Sequence, residues 1–274
     1  MCTVTIVPTF IPKRKAESTA YGPGFRLACN RDESRRRRRA LPPQVRTIGN
    51  RRVVLPVDPV AGGTWIAVND CGLTMTLLNV YAPSEDANSG QSSDGLRPAG
   101  TNCRPHHRSR GLIIVSLMSN DSVVSALDDA GKLKPSDFPP FRLVMVDDER
   151  LAELRSDGHH CTASSDRRGD EPLLFTSSGL GDHVVEPPRR ELFRSMFAEP
   201  EGWLRAQDVF HGHQWPERPH VSVCMDRLEA RTVSHTAVNV GVGQVRLSYR
   251  GEAPNVAVEP FVVGLEQGRG GSAP

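Results

Sequence analysis

A cysteine occupies position 2, between the initiator methionine and the alternating run Thr-Val-Thr-Ile-Val. Methionine removal is efficient before a small residue, so Cys2 is expected to become the first residue of the working chain. A thiol and a free α-amine would then share one residue. The amine titrates at about 7.7–8.0 and can take the thiol proton directly or through one water. A thiol with a free pKa of roughly 8.5 needs only modest help to become a thiolate. The plain alternative is that position 2 is merely the residue after methionine, and position alone leaves both readings open.

Other residues suit the same chemistry. Asn30, Arg31, Asp32 and Glu33 follow the apolar stretch Phe25–Cys29. Arg31 can favour a thiolate or clamp a substrate oxygen, and Asp32 can orient the α-amine. Both also fit a structural ion pair at a strand end. Asn79 closes the run Leu-Thr-Met-Thr-Leu-Leu; its amide can donate to a tetrahedral oxyanion or close an Asx turn. Gly62 and Gly63 precede Thr64 and Trp65, permitting close backbone approach or unusual dihedrals. Trp65 can line a pocket or fill a core. Ser177 and Ser178 lack the spacing of a serine-hydrolase elbow, so their hydroxyls are read as contacts to substrate or backbone. On a regular strand Arg231 and His235 share one face, from which either can reach a cleft.

The elements that must hold these residues are legible in part. Residues 3–7 and 25–30 read as strands, and 64–80 as a hairpin about Asp70-Cys71-Gly72. The stretches 34–43 and 57–63 read as loops. Residues 110–118 suit helix or strand, and 120–131 a helix capped by Asn120 or Asp121. Further strands are expected at 141–147, 150–156, 172–178, 220–226, 230–240 and 244–251. Helices are expected at 187–197, with Leu192, Phe193, Met196 and Phe197 on one face, and at 203–210. Strands, then helices, then strands favour antiparallel sheets in a layered α+β fold. One domain over 1–263 is expected, with an insertion near 83–109 and a Gly-rich tail from 264.

Composition narrows the function classes. The 34 basic residues nearly balance the 32 acidic ones, which argues against a general nucleic-acid surface. Arg35–Arg39 is the strongest charge run and reads as a solvated loop or as an anion-contacting rim that draws acidic substrates in. No apolar run is long enough to span a membrane. The apolar stretch at 4–11 is short, broken by Pro8 and not preceded by a basic region, so no leader is expected. Six cysteines without CxxC spacing suggest reduced thiols and a cytoplasmic setting. His211 and His213, with His220 nearby, lack the carboxylate or cysteine of a recognised zinc spacing. Gly62-Gly63 lacks dinucleotide-binding spacing. No metal or cofactor is expected, and the partner is a small-molecule substrate or ligand, with anionic character suggested by the arginines.

The motifs Met-Cys-Thr-Val-Thr, Leu-Ala-Cys-Asn-Arg-Asp-Glu, Gly-Gly-Thr-Trp-Ile-Ala-Val-Asn-Asp-Cys-Gly, Leu-Leu-Asn-Val-Tyr, Phe-Thr-Ser-Ser-Gly-Leu-Gly-Asp and Arg-Thr-Val-Ser-His-Thr occur in that order. Together they resemble the NRDE family, which includes the transport and Golgi organisation protein 2 homologues. That family resembles the N-terminal nucleophile hydrolases, which cleave amide bonds through the first residue of the mature chain. The resemblance implies a four-layer αββα sandwich and a cysteine amidohydrolase acting on a small linear or cyclic amide. Cys2, Arg31, Asp32 and Asn79 are then catalytic, with Asn79 in the oxyanion hole. Asn30, Trp65, Ser177, Arg231 and His235 are candidates to contact substrate. Asn30 and Asp32 match the asparagine and aspartate of a choloylglycine-hydrolase pattern, but Cys29 stands where those enzymes carry arginine. The same resemblance leaves a second class open: a non-catalytic protein that binds and delivers lipid or haem.

Overall fold

A computed structural model describes residues 2–9, 24–81 and 108–267. Most of the insertion expected at 83–109, and the last seven residues, lie outside the described residues. Two antiparallel sheets dominate. The first orders β1 (Cys2–Pro8), β2 (Phe25–Ser34), β10 (Leu173–Ser177), β11 (Ala230–Gly241), β12 (Gln244–Arg250) and β13 (Phe261–Glu266) as β10-β1-β2-β11-β12-β13. The second is a seven-stranded meander of β3 (Leu41–Ile48), β4 (Arg51–Val57), β5 (Ile66–Asn69), β6 (Thr74–Asn79), β7 (Phe141–Val146), β8 (Arg150–Ser156) and β9 (Cys161–Arg167).

The sheets stack face to face because each has one apolar face toward the other. Val4, Ile6, Leu27 and Val238 of the first sheet meet Val54, Ile66, Val68 and Val144 of the second in one buried core. Burying each such side chain contributes about 1.5–3 kcal/mol. The outer face of the second sheet buries Met75 and Leu143 beneath α1 (Gly111–Leu117) and α2 (Val123–Ala130). The outer face of the first sheet packs Val7 and Leu174 against α3 (Asp182–Met196) and α4 (Trp203–Gly212). The layers are therefore helix, sheet, sheet, helix: an αββα sandwich.

Alternation along β1 explains its central place. Val4 and Ile6 enter the inter-sheet core, whereas Thr3 and Thr5 turn to the helical layer. Arg189 of α3 is fully buried there. It donates to Thr3 Oγ1 and Thr176 Oγ1, each at 2.8 Å, and to the carbonyls of Val221 and Ser222. Burial lowers its pKa to about 10. Removing one side of so buried a charged network typically costs about 3–5 kcal/mol, so Arg189 pins β1, β10 and the 219–222 turn together.

Several elements differ from the sequence reading. Residues 220–226 are not a strand: a 3₁₀ turn at Pro219–Val221 leads into irregular chain whose carbonyls serve Arg189. The cap of α2 is Ser122, in a capping box with Ser125. Asn120 and Asp121 are engaged elsewhere, by Leu117 and Asp129 and by Arg51 respectively. α3 begins at Asp182, so Pro187 and Pro188 lie in its second turn rather than at its start. β3, β4, β9 and β13 were not anticipated; β3 starts within the expected arginine loop, and β13 carries residues 264–266 of the expected tail. Among the described residues no helix is long and apolar enough to cross a membrane.

Candidate active site

A cleft of ≈ 120 Å³ opens at the end of the inter-sheet core where β1 begins. Cys2, Arg31, Asp32, Trp65 and Asn79 all line it. The ladder explains the first three: Cys2 stands opposite Arg31 on β2 and Ser177 on β10. The Cys2 backbone N–H donates to Ser177 Oγ at 3.2 Å, and Ser177 is buried.

The thiol environment is asymmetric. Cys2 and Cys29 both face the inter-sheet core, two residues apart in register. A hydrogen bond from Cys29 holds the Cys2 thiol below its ordinary pKa against the opposing effect of burial, and Arg31 assists. The Cys29 thiol is pushed well up, because it keeps its proton as donor to Cys2 and is itself buried. Cys29, at the position where the choloylglycine pattern has arginine, is thus the neighbour that most favours a lowered Cys2 pKa, with the chain-terminal amine and Arg31 acting in the same direction and burial and Asp32 against it. Thr76 Oγ1 lies 3.9 Å from Cys29 Sγ.

Arg31 is fixed from three sides. Its guanidinium lies 4.4 Å from the Trp65 ring centre, 3.3 Å from Glu33 and 3.9 Å from Asp58. Trp65 in turn packs against Tyr249. Asp32 is buried and accepts from Thr232 Oγ1 at 2.7 Å. Burial raises its pKa, opposed by Arg189 and the Thr232 hydrogen bond. Asn79 ends β6 across the cleft and donates to Tyr81 Oη at 3.0 Å. A neutral amide donor and a thiol held below its ordinary pKa therefore share one cleft.

Arg37, from the arginine run read as a possible rim, and residues that the sequence reading did not single out complete the walls. Arg37 ion-pairs with Asp58 at 2.5 Å, and both line the cleft. Gly63 lies so close to Gly111 that an added Cβ would meet its backbone at 2.5 Å, and Thr64 N donates to the Gly111 carbonyl. Gly62 takes a left-handed φ of 69°. This backbone contact brings Arg110 to the cleft, where it donates to the Pro140 carbonyl and burial lowers its pKa. The pair of glycines was the available signal; nothing in the sequence pointed to Arg110.

The remaining candidates lie elsewhere. Asn30 is fully buried beneath the helical layer, donating to the carbonyls of His211 and Val223. His235 Nδ1 is 2.9 Å from Asn30 Oδ1. Since the Asn30 amide is committed as donor, its oxygen must accept from a protonated His235 Nδ1. Arg231 and His235 do not share a face: a bulge between Thr232 and Ser234 shifts the register and reverses the alternation. Arg231 consequently borders a second cavity beside the cleft, and His235 faces His211 at 5.1 Å. Ser178 caps its own turn and accepts from Arg227 at 2.9 Å. His211 Nε2 lies 2.8 Å from Thr5 Oγ1. Among the described residues no three His, Cys, Asp or Glu side chains are grouped to hold a metal ion.

Fold and site together define an αββα sandwich with a thiol heading its first strand at the mouth of a polar cleft. The model of the family Transport and Golgi organisation 2 matches residues 17–188, and the chain belongs to that family. Cys2 precedes the matched span. No curated protein matches the sequence. Among solved structures, the chain is similar to a Caenorhabditis elegans N-acylethanolamine-hydrolyzing acid amidase (NAAA) ortholog, at 9% identity and a TM-score of 0.49 over 93% of this chain and 94% of that one. It is also similar to the mutant C2A conjugated bile acid hydrolase from Clostridium perfringens, at 12% identity and a TM-score of 0.44, over 96% and 92%. Both TM-scores fall below 0.5, and the architecture rests on this chain's own sheet order and layers.

Proposed function

We propose that the protein is a cysteine amidohydrolase that acts on a small amide after Met1 is removed. The observation that carries this reading is the joint placement of Cys2, Arg31 and Asn79 around one cleft, with the Cys2 nitrogen bonded to Ser177. Once freed, that nitrogen is an α-amine that accepts the thiol proton while Ser177 Oγ holds its orientation. The sulfur attacks the amide carbon, and the carbonyl oxygen becomes an oxyanion that accepts from Asn79 Nδ2. Collapse breaks the C–N bond, and the proton held on the α-amine passes to the leaving amine. Water, deprotonated by the same α-amine, then attacks the thioester and releases the acid.

A panel of linear N-acyl amides and lactams, incubated with wild-type protein and Cys2→Ala, tests the reading. Turnover lost in Cys2→Ala supports it. Turnover unchanged in Cys2→Ala, or a ligand that co-purifies and binds without any substrate being cleaved, overturns it in favour of a carrier.

A further inference from the structure

A second cavity of ≈ 230 Å³ adjoins the cleft, and Arg31, Glu33 and Arg37 form the wall between them. Arg31, Arg35, Arg37, Arg38, Arg39 and Arg231 all line it. The only carboxylate among its lining residues is Glu33. Ion pairs reach in from outside the lining: Asp226 to Arg35, Asp58 to Arg31 and Arg37, and Glu252 to Arg39 and Arg231. Four carboxylates thus face six guanidiniums, leaving an excess of two positive charges. Arg38 is exposed at the rim and has no ion pair among the described residues. The β11 bulge matters here, because it brings both Arg231 and Ser234 to the cavity. Ser234 lies beside Tyr249, and both add neutral hydroxyls to its lining.

We propose that this cavity is an anion subsite for a dianionic oxyanion group, either a phosphoryl group or a dicarboxylate. Guanidinium forks match such groups bidentately, and a dianion neutralises the excess charge. Through the shared wall, the subsite holds the anionic end of the molecule whose amide enters the Cys2 cleft. That linkage rests on the proposed hydrolase reading; anion binding itself does not.

Titration calorimetry on the full chain tests the subsite with inorganic phosphate and malonate as probes, against chloride at matched ionic strength. Saturable binding of phosphate or malonate is expected, weakened by added salt. The tighter probe names the chemistry. Arg38→Gln and Arg231→Gln should each weaken binding by about tenfold or more, as expected for loss of a charge-assisted hydrogen bond. Cys2→Ala should bind like wild type, so failure of catalysis and failure of the subsite are told apart. Absence of saturable binding by both probes, or full affinity in Arg38→Gln, Arg231→Gln and their double variant, overturns the proposal.

Discussion

The backbone nitrogen of Cys2 donates to Ser177 Oγ at 3.2 Å, across the ladder where these two residues stand opposite one another. An interior strand, fixed on both sides, thus ends in the one nitrogen the proposed chemistry needs. Ser177→Ala removes that anchor without opening a large cavity. A lost hydrogen bond of about 1 kcal/mol should slow amide turnover roughly fivefold while leaving the melting temperature within a few degrees of wild type. Unchanged turnover at a single-turnover readout would mean the contact is only structural.

Cys29 makes a sharper case. Its side chain, two residues away in register, is the largest influence holding the Cys2 pKa down. Cys29→Ala should move the midpoint of the pH dependence of Cys2 alkylation upward, toward that of an ordinary thiol. Cys29→Ser, which keeps a donor, should shift it less. A midpoint that stays put in both variants would remove Cys29 from the account.

These two residues also show how far the sequence could be read. β1, β2, β5 and β6 were legible because aliphatic residues alternate or run unbroken toward a core. β3, β9 and β13 are edge strands. With only one neighbour each, they carry a weak apolar pattern: β9 is exposed along its whole length, and β3 contains Pro42 and Pro43. β4 is interior, but Pro56 and its leading arginines mask its buried valines. At the site, Cys2, Arg31, Asp32 and Asn79 lie close to strand ends, where residue type and periodicity are readable together. Arg37, Asp58 and Arg110 reach the cleft from loops and a helix start, which no periodicity announces. The Val233 bulge is equally silent, and it sends His235 to the helical layer.

Asn79 separates binding from chemistry. It lines the Cys2 cleft, and its amide donates to Tyr81 Oη. Asn79→Ala should lower kcat for an amide substrate by roughly 10²–10³, the usual cost of one oxyanion donor. Alkylation of Cys2, which forms no oxyanion, should stay within about twofold of wild type. Equal losses in both assays would point to a collapsed cleft instead.

The buried histidines govern acid stability. Burial lowers the His235 pKa from 6.5 to about 4, and Arg26 and Arg250 add to the effect against Asp208. His211, facing it, is lowered well below its ordinary value by burial and by His235. Between pH 6.5 and 4 the unfolded chain binds protons that the folded chain refuses. Stability is therefore full above about pH 6.5 and is lost as pH falls, by about 3 kcal/mol for His235 alone. Urea midpoints at pH 7 and pH 4.5 should show this loss, and His235→Gln should reduce it. Equal midpoints for the wild type at both pH values would contradict it.

The proposed chemistry needs a free amine and an activated thiol together on Cys2. Intact mass spectrometry after brief exposure to iodoacetamide at pH 6 tests it most directly. The expected result is a chain lacking Met1, with a single adduct on Cys2 formed well before any on the exposed Cys161. A chain that retains Met1, or one in which Cys161 is labelled first and Cys2 stays unmodified, would contradict the account.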